Sequence, residues 1–328
     1  MATLSLDLDD AWAYLRTRGE RDWERAPSIL PLAVGRLLPV LDELGLRITV
    51  FVVGRDAARP EGGEAIRALA DAGHEIASHS ALHRGELAAL PATEVEADLR
   101  EAADALEAVV GRRPRGFRCP SFGSSRALVR CLVEGGYSYD ASVLPTSLAP
   151  LLRLYYRARM RTAEADGPAQ ELFGPPSNAA LPLSPFRWAT DSPGLLELPV
   201  STMPLLRTPV HMSYLQALGG ASRPLAEGYL TAALRLLRAR HVPPSFLLHP
   251  PDLLDARDEP RLGFFPGMAR RAADKVDQLR SALTLLAGDF DVVPLEEAAR
   301  RLERTELPVR PVPGALPATR RRLEEARP

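Results

Sequence analysis

The chain has 328 residues, of which 46% are hydrophobic and 25% charged. That is the balance of a soluble globular protein, with length for one large barrel-type domain or two small ones. A formal net charge of -1 supplies no global field that would favour nucleic acid or an anionic membrane. Two cysteines, Cys119 and Cys131, are too few for a disulfide framework and form no Cys-x-x-Cys pair for a zinc-thiolate site. Both read as small buried apolar residues.

Residues 3–8 read as a buried strand that delivers the acidic run Asp7-Leu8-Asp9-Asp10 at its C-terminal end. No basic segment followed by an apolar stretch precedes it and no apolar run is long enough to span a bilayer, so a cytoplasmic enzyme is expected. Residues 10–26 look polar and irregular. A helix is expected over 29–44, with Ser28 as N-cap and Gly45 as its stop. The β-branched and aromatic run 48–53 is a strand covered on both faces. A helix over 64–72 then ends at Gly73, and a short strand over 75–78 leads into His79-Ser80-Ala81-Leu82-His83.

Thr93-Glu94-Val95-Glu96 has the spacing of a capping box for a helix running to about 110. Strands are expected over 116–118, 195–200, 245–249 and 290–293. Helices are expected over 125–134, 225–240, 268–286 and 295–304. This alternation argues for parallel strands with crossover helices. The first strand is not followed by Gly-x-Gly-x-x-Gly, and Asp9, His79, Arg118 and His249 each follow a different strand. In a β/α barrel, residues at the C-terminal ends of several strands converge on one mouth. The predicted fold is therefore α/β, a distorted (β/α) barrel of about seven or eight strands over residues 1–305. Residues 148–193 form an inserted lid-like segment with an amphipathic helix at 151–161, and 306–328 is a Pro/Arg-rich tail, disordered or loosely packed.

Two histidines four apart can place both imidazoles on one side of a helical turn, and imidazole with carboxylate is an ordinary ligand set for zinc. The alternative is an exposed pair holding nothing. Period-two geometry turns Asp7 and Asp9 to the same side of an extended chain. Asp10 competes as the third ligand, with Asp9 then the base, although capping the chain where it leaves the strand is its simpler role.

Further motifs are Gly116-Phe117-Arg118-Cys119-Pro120-Ser121-Phe122, then Tyr137-Ser138-Tyr139-Asp140-Ala141-Ser142-Val143, Leu196-Glu197-Leu198-Pro199-Val200-Ser201 and Leu247-Leu248-His249-Pro250. Together with the acidic run and His74-Glu75-Ile76-Ala77-Ser78-His79-Ser80-Ala81-Leu82-His83, in this order, they resemble the polysaccharide deacetylases, the NodB-homology, carbohydrate esterase family 4-like group. The Asp-x-Asp spacing resembles an intracellular branch acting on smaller substrates.

The resemblance implies a NodB-homology barrel and one divalent metal, with zinc expected and other divalent transition metals open. It implies Asp9, His79 and His83 as ligands, Asp7 as general base, Arg118 orienting that base and His249 as the acid that protonates the leaving amine. The implied reaction removes an N-acetyl or related acyl group from an amino sugar in a glycan, glycolipid or glycosylated metabolite. Two alternatives are a C–N hydrolase acting on a non-sugar amide, allantoinase-like or deformylase-like, and a catalytically silent glycan-binding protein. An N-acetylated sugar or glycoconjugate is the expected partner, nucleic acid is not, and a membrane enters only through a lipid-linked substrate. Trp12, Pro120 and Phe122 are candidates to line the substrate groove, packing being their other reading. His74, His211 and His241 are set aside as structural.

Overall fold

In the computed structural model, which describes residues 1–157, 173–190 and 194–312, ten strands belong to one sheet. They are β1 (Ala2–Leu8), β2 (Thr49–Val52), β3 (Glu75–Ser78), β4 (Gly116–Phe117), β5 (Tyr139–Asp140), β6 (Phe186–Trp188), β7 (Leu196–Glu197), β8 (Ser245–Leu248), β9 (Val292–Val293) and β10 (Val309–Arg310). The path β8-β1-β2-β3-β4-β5-β7 is parallel throughout. Past β7, the Val200 N–H donates to Val143 O at 2.9 Å and the Ser201 N–H to Ser245 O at 3.0 Å. The far edge thereby returns to the start of β8, and these strands close into a distorted barrel. Helices Leu30–Glu43, Pro60–Asp71, Ala92–Val110 and Arg126–Glu134 pack side by side outside it, and Arg223–Ala239 and Ala272–Asp289 continue the layer round to Leu30–Glu43.

The alternation of the strands decides which residues meet. All of β1 is buried, so burial alone does not sort its two faces. The apolar positions Leu4, Leu6 and Leu8 join one core with Val50, Val52, Ile76, Phe246 and Leu248 and the packed helices. The opposite set is Ser5 and Asp7 on β1, Thr49 and Phe51 on β2, Glu75 and Ala77 on β3, and Leu247 on β8; side chains two apart share a face. These point into the barrel. At its N-terminal end the interior is polar but paired. Thr49 Oγ1 and the Tyr139 hydroxyl both donate to Glu75 at 2.6 Å, and the Glu296 N–H donates to Glu75 at 2.9 Å. A Cβ on Gly116 would fall 2.0 Å from the Tyr139 ring, so only glycine lets that ring cross the barrel.

Several local expectations change. Residues 11–18, taken as irregular, form helix Ala11–Arg18, because Asp10 accepts the Ala11 N–H and the chain closes on Gly19 in the left-handed region. Helix Ala92–Val110 begins at Pro91 without a side-chain cap, leaving Thr93 inside the first turn. Helix Met212–Ala221, capped by His211, was not expected.

The segment 148–193 is not lid alone. Helix Ala149–Arg157 covers the start of the expected amphipathic helix, and 158–172 and 191–193 lie outside the described residues. Farther on, β6 pairs antiparallel with β7, with Phe186 and Trp188 fully buried and the Trp188 indole N–H donating to Glu197 at 3.0 Å. The tail beyond 305 likewise adds β10 to β6 in parallel and buries Val312; 313–328 lie outside the described residues. A chain ended after Thr305 should lose at least the burial of Val312, roughly 1.5–3 kcal/mol, read as a lower urea midpoint. An unchanged midpoint would return 306–312 to the status of a loose tail.

Candidate metal centre and active site

Asp7, Asp9, His79 and His249 continue the inward-facing sets of β1, β3 and β8 to the C-terminal mouth of the barrel, where they line one pocket with His83. Asp9 Oδ1 lies 3.5 Å from His79 Nε2 and 3.4 Å from His83 Nε2, and the ligand atoms of this trio fall within 4.8 Å of one another. The two histidines do not share a helical turn. His79 ends β3, and the chain then folds through Ser80 and His83, both left-handed at φ 70° and 50°. That loop is held by the His83 N–H on Ser80 Oγ at 2.9 Å, the Ala81 N–H on Asp98 at 2.9 Å and Arg16 on the His83 carbonyl at 2.5 Å.

The trio fits a divalent cation. His79 Nδ1 sits 2.7 Å from the Arg118 carbonyl; a carbonyl only accepts, so the proton is on Nδ1 and the Nε2 lone pair faces Asp9. Burial lowers the pKa of both histidines, His83 to about 4, so both are neutral ligands at pH 7. Asp9 Oδ1 is buried without a hydrogen-bond partner among the described residues, and burial raises that carboxyl's pKa. Lone pairs converging on one point are what a cation relieves.

Beside the trio, Arg118 is fully buried over the Phe51 ring, 4.1 Å from its centroid. Its guanidinium donates to Asp7 at 2.5 Å, Ser5 Oγ at 3.0 Å and the Ala141 carbonyl at 2.9 Å. Burial alone would raise the Asp7 pKa, yet with the Arg118 guanidinium beside it the carboxyl is held below its ordinary value. The other Asp7 oxygen lies 3.9 Å from His249 Nε2. His249 Nδ1 is 3.2 Å from Ser213 Oγ, and its N–H donates to Asp252 at 2.9 Å.

Asp10 points elsewhere. Its Oδ1 accepts the Ala11 N–H at 2.7 Å and the Ile29 N–H at 2.8 Å. Trp12, expected at the groove, is fully buried: its indole N–H donates to Asp56 at 2.6 Å and its ring packs against Trp23 and Arg55. As the second residue of a helix capped at Asp10, it turns into the core. Pro120 is also buried away from the pocket, while Phe122 lines it. Ser121 and Phe122 are both left-handed, at φ 59° and 60°, and that turn separates the ring's path from the proline's. His211, set aside earlier, lines the pocket 6.2 Å from His249 by ring centroids, as do Ser213 and Tyr14. None of the three belongs to a motif; only the tertiary fold brings them here.

The polysaccharide deacetylase family model matches residues 23–139, a span that includes His79, His83 and Arg118. A stretch of 114 residues, 34% of this chain and 33% of the other, is 30% identical to peptidoglycan deacetylase-like protein FGM2 of Gibberella zeae. Another of 154 residues, 46% and 52%, is 25% identical to a peptidoglycan deacetylase of Helicobacter pylori. The chain thus spans a third to a half of the length of these curated relatives. Over nearly the whole chain the fold is similar to that of a protein assigned as a polysaccharide deacetylase from Mycobacterium smegmatis, with TM-score 0.62, 23% identity and coverage of 96% of this chain and 95% of that one. A probable polysaccharide deacetylase from Pseudomonas aeruginosa gives TM-score 0.54 at 18% identity, over 93% and 91%.

Two measurements follow. Asp9→Ala and His83→Ala should each abolish stoichiometric zinc or cobalt binding in titration calorimetry. Asp10→Ala should retain the metal yet lose about 1–3 kcal/mol of stability through the lost cap and the unpaired Ile29 N–H; the reverse pattern would make Asp10 the ligand. The second concerns Asp56, whose pKa burial raises to about 8. A folded pKa above the unfolded one penalises the native protein most above pH 8, and the penalty fades as pH falls. Asp56→Asn removes it, so the variant's stability advantage in urea melts should shrink from pH 9 to pH 5, by about 1.4 kcal/mol per unit at its steepest. A gap independent of pH would mean that Asp56 is not buried neutral.

Proposed function

We propose that the protein is a metal-dependent deacylase that hydrolyses the N-acetyl or related N-acyl group of an amino sugar. The observation that carries this reading is the placement of the Asp7–Arg118 pair and His249 beside the Asp9, His79, His83 trio in one pocket. A divalent cation on the trio, zinc in our reading, would supply a Lewis acid for the amide carbonyl and lower the pKa of attacking water.

The chain's own groups manage the protons. Asp7, kept ionised by Arg118, accepts the proton of the attacking water. His249, whose Nε2 lies 3.9 Å from Asp7, protonates the amine nitrogen as the C–N bond breaks, since an amide nitrogen leaves poorly without a proton. Ser213 Oγ at His249 Nδ1 fixes the ring so that Nε2 faces the reacting atoms. The Asp-x-Asp spacing supports a place among members that act inside the cell on smaller substrates, and the family makes a carbohydrate the natural substrate class.

The test is acetate and formate release from a panel of N-acetylglucosamine oligomers, peptidoglycan fragments and non-sugar amides, before and after chelation. Release from the sugars should vanish with chelator and return with zinc or cobalt. Asp7→Asn and His249→Ala should each cost 10²–10⁴-fold in kcat while metal still binds. Full turnover by Asp7→Asn would exclude Asp7 as the base. Release confined to the non-sugar amides would replace the sugar with another C–N substrate.

A further inference from the structure

The pocket around the metal trio is walled mainly by carbon. Phe264 and Phe265 stand on one side, Phe122 and Phe173 line it as well, and Leu144 and Leu247 complete the wall. The cavity measures about 160 Å³, more than the three heavy atoms of an acetyl group fill. Outside the reacting residues, the polar side chains on the lining are Tyr14, Thr17, Arg18, Ser121, His211 and Ser213, and none of them lies among the phenylalanines in sequence except Ser121. A sugar ring placed deep among these phenylalanines would leave hydroxyls without partners, which is costly.

The apolar character continues at the surface. Leu151, Leu154, Leu205 and Leu206 are 61%, 65%, 73% and 68% exposed. The loop that carries the last two is tied to the pocket wall, because the Arg207 carbonyl accepts from Thr146 Oγ1 at 2.8 Å and from the Ser147 N–H at 3.2 Å, just past Leu144. The helix that carries the first two is tied to the segment of Phe173, through Arg153 on the Gly174 carbonyl. Four exposed leucines thus lie on two elements tied to segments that line the pocket.

We infer that the substrate carries a bulky apolar chain or ring close to the scissile amide, seated against Phe122, Leu144 and Phe265. This rests on the deacylase reading of the same site and uses the same step: water oxygen bonds to the acyl carbon, the C–N bond breaks, and the nitrogen leaves with a proton as the free amine. The apolar group has two possible sources, a long acyl chain on the nitrogen or an alkyl, aryl or lipid aglycone on the sugar.

The experiment compares the metal-loaded protein on N-acetylglucosamine trimer, N-hexanoylglucosamine and octyl N-acetylglucosaminide. At roughly fourfold per buried methylene, kcat/KM for one of the two apolar substrates should exceed that for the trimer at least tenfold. The hexanoyl compound ahead identifies a long-chain amide; the octyl glycoside ahead identifies an apolar aglycone. Phe122→Ser should narrow the ratio. Rates for both apolar substrates at or below that of the trimer overturn the inference. Calorimetry with octyl N-acetylglucosaminide and its methyl analogue separates the two readings. Tighter octyl binding without turnover overturns the deacylase assignment and leaves the apolar pocket standing. Equal binding of the two glycosides overturns the pocket, whatever the turnover.

Discussion

Arg118 is the residue on which the site depends. A fully buried guanidinium is costly unless its charge is matched and its donors are used. Here the matching charge is Asp7, Nη1 and Nε also donate to Ser5 and Ala141 while Nη2 has no hydrogen-bond partner among the described residues, and the cation lies over the Phe51 ring. The same residue's carbonyl receives the Nδ1 proton of His79. One position therefore sets both the ionisation of Asp7 and the tautomer of a metal-facing imidazole. Lysine cannot substitute, because a point ammonium cannot reach these separate acceptors in a plane. Removing Asp7 while keeping Arg118 would leave the cation uncompensated in the barrel, so the pair stands or falls together.

That constraint explains where strain collects. The strands are short and regular, while Ser80, His83, Ser121, Phe122 and Phe173 all hold left-handed backbones at or next to the pocket. For non-glycine residues such conformations cost of order 1–3 kcal/mol each and persist only where the surroundings hold them. The loop over 80–83 is held from three directions, by Asp98, by Arg16 and by backbone bonds from Gly54 and Arg55. A histidine held this way is already placed before any ligand arrives, so little ordering cost falls on metal binding.

What the sequence reveals and what it hides divide along the same line. Strand alternation is a period-two property of contiguous residues, so the inward set of Asp7 and Asp9 could be read directly, and His79 and His249 could be recognised as strand-end residues. The His79–His83 spacing marked the right pair but suggested the wrong backbone, since a four-residue interval fits a helical turn and an anchored loop equally well. Trp12 was misplaced for a related reason. Its direction is set by the cap at Asp10 and a partner at Asp56, 44 positions away. The strands at 186–188 and 309–310 are short, and their pairing joins residues more than a hundred positions apart, which no local pattern announces. His211 and Ser213 enter the pocket on a helix that carries no motif.

The division bears on specificity. The groups placed by strand register, Asp7, Asp9, His79, Arg118 and His249, are those to which the proposed amide hydrolysis assigns the metal and the protons. They select a reaction and leave the substrate open. The groups placed by loops and tertiary contacts, Phe122, Phe173, Phe264 and Phe265 among them, touch no reacting atom yet form most of the wall. A polysaccharide substrate would ask that wall for hydrogen-bond partners at each sugar hydroxyl, and phenylalanine supplies none. The conflict between the proposed amino-sugar substrate and a carbon-rich surround disappears if the sugar stays near the polar centre and an apolar substituent fills the remainder. In that arrangement the burial free energy comes from a part of the substrate that takes no part in the reaction, and it can be used to hold the amide in line with Asp7 and His249.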